Sequence, residues 1–171
     1  MTSSGDVVLG IDPGTARTGY GLVEHTTGGG LRPLAYGVIE TRPDRPMGGR
    51  LLQLETALDR LLVEHAPVSA GVEKIYFDRN VSTALTVGQA RGVILLTLAR
   101  HGVEVEEYTP LEVKQAVAGN GSADKKQMQA MVRMLLELEA EPRPDDAADA
   151  LAVAICHAHV RGTRQRLEEA G

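Results

Sequence analysis

The stretch that most constrains the fold is Val7-Val8-Leu9-Gly10-Ile11-Asp12-Pro13-Gly14-Thr15. Val7 to Ile11 is short, apolar and β-branched, which predicts a buried strand. Asp12-Pro13-Gly14 stops it, because proline cannot donate to a β-ladder and glycine permits a tight reversal. Gly19 to Val23 resumes as a second strand. Asp12 therefore stands where a buried strand surfaces into a turn. Asp ahead of Pro-Gly is ordinary turn chemistry. The other reading is a metal or substrate ligand on a rigid support, and the remaining carboxylates decide between the two.

The chain continues in the same grammar. Thr26 to Gly30 is a glycine-rich reversal, and Leu31 to Thr41 reads as a third strand, giving an antiparallel meander. Arg42 to Gly49 is a Pro/Gly/Asp loop. Leu51, Leu54, Leu58, Leu61 and Leu62 recur at helical spacing among charged residues, so one face of that helix packs on the sheet. Beyond Pro67, Ser69 to Val72 is a short buried strand ending at Glu73. Asn80 to His101 is apolar and helical, with Gly88 and Gly92 on one face. Such glycines predict close packing against another backbone, either a neighbouring helix or the same helix of a second subunit.

Val103 to Glu106 alternates as a partly exposed strand. Thr109-Pro110-Leu111-Glu112 is a capping box with proline in the first helical position, and its helix ends at Gly119-Asn120-Gly121. Ser122 is expected to cap the next helix, which runs to about Leu138 with Met128, Val132 and Leu135 inward. Pro142 and Pro144 precede the last helix, Asp146 to about Val160, which Asp145 would cap. The order predicts an α/β or α+β layered domain of 171 residues with one central mixed sheet flanked by helices, ordered from about 7 to 160.

Asp12 and Glu73 end their strands, so adjacent strands would bring both carboxylates to one edge of the sheet. Asp146 and Asp149 are three apart and share a helix face in its first turn. Each acid has an ordinary explanation as a turn former, a solvated strand end or a helix N-terminal charge. Gathered together they would repel unless a cation sat among them. Hard divalent ions such as Mg²⁺ take oxygen ligands, and two of them ~3.5–4 Å apart can clamp a phosphodiester during in-line displacement. No Cys or His set has zinc spacing, since His157 and His159 are two apart.

A net charge of −5 argues against a nucleic-acid partner, but only on average. A metal nuclease concentrates acids at its centre, and bound cations offset them. Lys114, Lys125, Lys126 and Arg133 precede the acidic helix, with Arg79 and Arg91 earlier. As a set they could follow phosphates beside a metal site. Tyr76 and Phe77 follow Glu73 in a polar loop, suited to stacking on an unpaired base or to folding back on the core. The single cysteine, Cys156, fits a reducing compartment and a buried thiol. No apolar run approaches the ~20 residues of a membrane span, and no signal peptide is evident, so a cytoplasmic location is expected.

With those residues in view, the chain resembles RuvC-type Holliday-junction resolvases of the ribonuclease-H-like superfamily. Four stretches carry the likeness, which spans about Val7 to Val160. They are Leu9 to Gly14 with Thr18 to Gly21, Gly88 to Gly92, Val113 to Gln115 with Gly119 to Ala123, and Asp146 to Ala152. The resemblance implies a ribonuclease-H-like fold with a five-stranded mixed sheet. It implies that Asp12, Glu73, Asp146 and Asp149 ligate two Mg²⁺, with Mn²⁺ able to substitute. It further implies a homodimer that resolves four-way junction DNA by paired symmetric nicks, leaving 5′-phosphate and 3′-hydroxyl ends. Lys114 and Lys125 match functional lysines near the scissile phosphate, and Tyr76 matches an aromatic that inserts at the junction, a role Phe77 could share. Partners of the RuvA–RuvB branch-migration type follow from the same likeness, and no membrane partner is expected.

Two rival classes remain at this point. An ATP-handling domain of the actin-like fold would use Asp12 to Thr15 as a phosphate loop, but it needs two lobes and a second nucleotide-binding stretch. A non-catalytic junction-binding dimer would keep the acids as structural groups and show no metal-dependent nicking.

Overall fold

The computed structural model describes residues 5–74 and 81–171. Its elements run β1 (Val7–Asp12), β2 (Arg17–His25), β3 (Leu31–Glu40), α1 (Met47–His65), β4 (Ser69–Glu73), α2 (Val81–Arg100), β5 (Glu104–Tyr108), α3 (Pro110–Ala118), α4 (Lys125–Leu135) and α5 (Asp145–Ala170). The strands form one mixed sheet in the order β3-β2-β1-β4-β5. β1, β2 and β3 make the expected antiparallel meander, while β4 runs parallel to β1 and β5 parallel to β4.

Side chains alternate across a strand, so each strand feeds two cores. Leu9 and Ile11 of β1 join Leu22, Ala70 and Val72 beneath α1 and α2, whose Leu54, Leu58, Leu62, Ile94 and Leu98 close that layer. Val8 and Val23 face the other way, onto Leu151 to Cys156 of α5, with Val113 and Val117 of α3 and Val132 of α4 beyond. Each fully buried Leu or Ile contributes roughly 1.5–3 kcal/mol. Cys156 lies in this second core, where burial pushes its thiol up to about 12.

Several boundaries differ from the expectations, each for a local reason. α1 starts at Met47, inside the stretch expected to be loop, and has no side-chain cap. α4 is capped by Asp124 rather than Ser122, because only Asp124 has a Gln three residues on to complete the reciprocal box. Ser122 instead bonds the Asn120 side chain at 2.8 Å. α4 also ends at Leu135, short of Leu138, where Glu137 takes a left-handed conformation (φ 52°). α5 begins at Asp145, which therefore does not cap it, and runs past Val160 to Ala170. That extension is tied back to the sheet by Arg161 to Asp6 at 3.3 Å and by an ion pair between Arg164 and Glu106.

One expectation about α2 needs correction, and one open choice is narrowed. The helix is long and apolar enough, by length and composition, to cross a membrane. In this fold it lies along the sheet, with Ala90, Ile94, Thr97 and Leu98 buried. Among the described residues nothing lies within 4 Å of where a Cβ would stand on Gly88 or Gly92, so neither meets another described helix of the same chain. Val81, Leu85 and Leu96 are exposed on the same helix.

Candidate active site at the ends of β1 and β4

Strand parity and register build the site. Gly10 faces α5, so Asp12, two residues on, faces α5 as well. On β4, Ser69 and Gly71 both meet His157 of α5, which sets Glu73 on that face too. The parallel register pairs Ile11 with Val72, so the next residue of each strand, Asp12 and Glu73, emerges side by side. Their carboxyls meet at hydrogen-bonding range.

Glycines bring the helical acids to this pair. A Cβ on Gly10 would lie 2.2 Å from the Ala150 carbonyl oxygen, and one on Gly19 only 2.0 Å from that of Asp146. A Cβ on Gly21 would lie 2.7 Å from Leu151 Cδ2. Side chains at these points would hold α5 off the sheet. Without them its N-terminal half presses onto β1 and β2, and Asp146 and Asp149 join the field around Asp12.

The electrostatics follow. Burial, then the charge of Glu73 and those of Asp149 and Asp146, push the Asp12 carboxyl far above the usual carboxylate range. Burial pushes Asp149 up to about 6, with Lys125 opposing the shift and Glu73, Asp146 and Asp145 adding to it. Asp146 reaches toward Arg17 of β2, with Nη1 3.8 Å from its Oδ2, whereas the Asp145 carboxylate bonds Lys125 and Gln129 of α4. Asp146, not Asp145, is therefore the first helical acid turned toward the strands.

Basic groups border the acids. Lys114 and Lys125 line, with Glu73, Asp149 and Gln129, a cavity of about 180 Å³ floored by Val113, Val132 and Ala152. Lys126 is exposed beside it and is not part of this wall. Arg17, which the sequence did not single out, is held by Glu40 at 2.9 and 3.1 Å and brings Nη1 to 3.8 Å from Asp146 Oδ2. Arg91 has two partners within the fold. Its Nη1 donates to the Glu73 carbonyl at 2.8 Å, and its Nη2 pairs with Glu107. It thus fixes the backbone that carries Glu73. Tyr76, Phe77 and Arg79 lie outside the described residues.

Among the described residues, no three of these groups are gathered tightly enough to enclose an ion as they stand. Asp12 leans on Glu73, Asp146 faces Arg17, and Asp149 lies in the field of Lys125. The donor chemistry nonetheless fits a hard divalent cation. It is all carboxylate oxygen, and the repulsion that raises Asp12 is what a cation relieves. The nearby imidazole, His157, is committed elsewhere, between Tyr108 OH and Ser69 Oγ at 2.8 Å each.

Comparison with known proteins agrees with this geometry. The family model described as crossover junction endodeoxyribonuclease RuvC matches residues 8–157. A protein of that name from Roseiflexus sp. is 56% identical over 161 residues, covering 94% of this chain and 95% of its own. Its namesake from Chloroflexus aurantiacus is 57% identical over 158 residues, covering 92% and 96%. Among solved structures, Thermus thermophilus RuvC in complex with Holliday junction substrate superposes with a TM-score of 0.87 at 38% identity, covering 91% of this chain and 94% of that one. A mixed five-stranded sheet ending in clustered acids and a match over nearly the whole chain lead to one assignment: the chain belongs to the RuvC family of crossover junction endodeoxyribonucleases, which use divalent metal.

Proposed function

We propose that Asp12, Glu73, Asp146 and Asp149 hold two Mg²⁺ ions, with Mn²⁺ able to substitute, and that the chain uses them to nick four-way junction DNA symmetrically. The observation that carries this reading is the meeting of two strand-end acids with two acids from the N-terminal end of α5. When bound, the ions neutralise charge on the scissile phosphate and lower the pKa of the attacking water.

The protein's own part is positioning and charge placement. Asp12 and Glu73 sit on adjacent central strands, and Arg91 pins the Glu73 backbone, so their oxygens ride on a rigid support. Lys114 and Lys125 stand on the wall next to Glu73 and Asp149, where their N–H groups can donate to phosphate oxygens as negative charge builds. Exposed Lys126 extends that basic edge along the backbone. Tyr76, Phe77 and Arg79 are assigned to the junction centre, the rings to unpaired bases and Arg79 to phosphate.

A face of α2 that meets none of the described residues at Gly88 and Gly92 supports a homodimer. Val81, Leu85 and Leu96 are exposed around Gly88 and Gly92, which leave room for a second backbone to approach. A twofold axis there would give two centres for two symmetric nicks. Branch-migration partners of the RuvA–RuvB type and a cytoplasmic setting complete the proposal.

The test offers a synthetic four-way junction, a linear duplex and an RNA–DNA hybrid side by side, with Mg²⁺ and with chelator. Paired nicks in the junction alone, abolished by chelator, are expected. Equal cutting of the linear duplex, or nicking that survives chelation, would refute the reading.

A further inference from the structure

Asp145 precedes the metal-facing acids, yet its carboxylate serves different neighbours. Lys125 Nζ lies 3.1 Å from its Oδ2, Gln129 Nε2 donates to its Oδ1 at 3.0 Å, and Arg143 Nη1 stands 3.6 Å from the same oxygen. Lys125 and Gln129 are one helical turn apart, so they grip Asp145 from one face of α4. The start of α4 is itself locked, because the Gln127 N–H donates to Asp124 Oδ1 at 2.8 Å and the Asp124 N–H to Gln127 Oε1 at 2.9 Å. Gln129 is only 8% exposed, which fixes the second arm of the grip.

Lys125 also feels Asp149 and Asp146, so three carboxylates compete for one ammonium. An ammonium resting on Asp149 would occupy the oxygens, and offset the charge, that a metal ion needs. We propose that Asp145 is a positioning residue: with Gln129, it keeps Lys125 on the cavity wall and off Asp149 and Asp146, so that the lysine does not compete there with a divalent cation. This rests on the metal reading above and adds a division of labour between adjacent acids. Asp145 takes the lysine and Asp146 the ion. A simple tether between α4 and α5 would use the same contacts but would not couple Lys125 to metal affinity.

The measurement is calorimetric titration of the full chain with Mn²⁺, without DNA. Asp145→Asn should weaken Mn²⁺ binding about tenfold, the lower end of the effect of losing an outer partner of a metal ligand. Lys125→Ala alone should bind Mn²⁺ at least as tightly as the unmodified chain. The double variant Asp145→Asn/Lys125→Ala should regain that affinity, since the stray ammonium is gone. Gln129→Met, which removes one arm without a charge change, should give a smaller loss. Wild-type affinity in Asp145→Asn, or a double variant as weak as Asp145→Asn, would overturn the proposal. Asp12→Asn separates the two levels: undiminished Mn²⁺ binding there would sink the metal reading itself.

Discussion

Gly19→Ala is the substitution for which the structure gives the most direct magnitude. The added Cβ would lie 2.0 Å from the Asp146 carbonyl oxygen and 2.7 Å from its carbonyl carbon. Ordinary van der Waals contact begins near 3.4 Å, so β2 and α5 must part by about 1.4 Å. Both obstructing atoms are backbone, so no side-chain rotation relieves the clash. Overpacking of this kind costs roughly 1–3 kcal/mol. For a chain of this length that is on the order of 2–10 °C in Tm. The functional cost should exceed the structural one. α5 carries Asp146 and Asp149, while Asp12 and Glu73 stay with the strands, so the opening acts across the site. Catalytic groups need placement within about 0.5 Å, and a 1 Å error can cost on the order of 10²-fold. Single-turnover cleavage of a four-way junction at saturating Mg²⁺ should therefore slow at least tenfold in a protein that remains folded. Gly28→Ala, at a position with nothing within 4 Å, serves as the neutral control. Cleavage by Gly19→Ala within twofold of wild type, with unchanged Tm, would refute the claim that these glycines seat the helical acids.

Other consequences follow from the same contacts. Asp12→Asn should abolish junction nicking while leaving junction binding nearly intact, as read by single-turnover cleavage and gel shift. Because the folded-state pKa of Asp12 is raised by burial and by Glu73, metal-free stability should fall as pH rises above its unfolded value of 3.8, and Asp12→Asn should flatten that fall in urea midpoints measured in chelator. His157 is buried and neutral, with burial lowering its pKa to about 4 from 6.5, so the unfolded chain takes the proton first. Stability should thus fall as pH drops from 6.5 to 4, by about 3 kcal/mol from this group, and urea midpoints should show a flatter profile in His157→Gln. An identical profile in that variant would contradict the assignment. Gly88→Leu and Gly92→Leu should shift the protein toward monomer in sedimentation experiments while it stays folded, because both sites are open to the described residues of the chain; a persistent dimer would move the interface elsewhere.

Much of the architecture was legible because it depends on local chemistry. The meander, the Thr109 capping box and the order of elements follow from alternation, glycine turns and helical spacing. The placement of Asp12 and Glu73 at strand ends was legible too. Their adjacency was not, since it depends on β4 pairing in parallel with β1, a non-local choice. Gly19 and Gly21 carried a readable signal: two glycines on one face of a strand mark a close backbone approach. What approaches them is a helix more than a hundred residues later. The Ser122 misreading came from treating an N-cap as one residue when the reciprocal box requires two. The hold of Arg91 on the Glu73 carbonyl and Glu107 was not legible, because those partners lie on two different strands. Gln129 was detectable in principle, one turn after Lys125 on the same face, but its partner Asp145 is set by tertiary packing.

The central claim is that four carboxylates, distant along the chain, form one cation seat. The most direct measurement is anomalous scattering from crystals grown with Mn²⁺. The account predicts Mn²⁺ peaks bounded by oxygens of Asp12, Glu73, Asp146 and Asp149, with Asp145 still holding Lys125. Mn²⁺ bound at other side chains in crystals of a nicking-competent protein, with these four left uncoordinated, would contradict it.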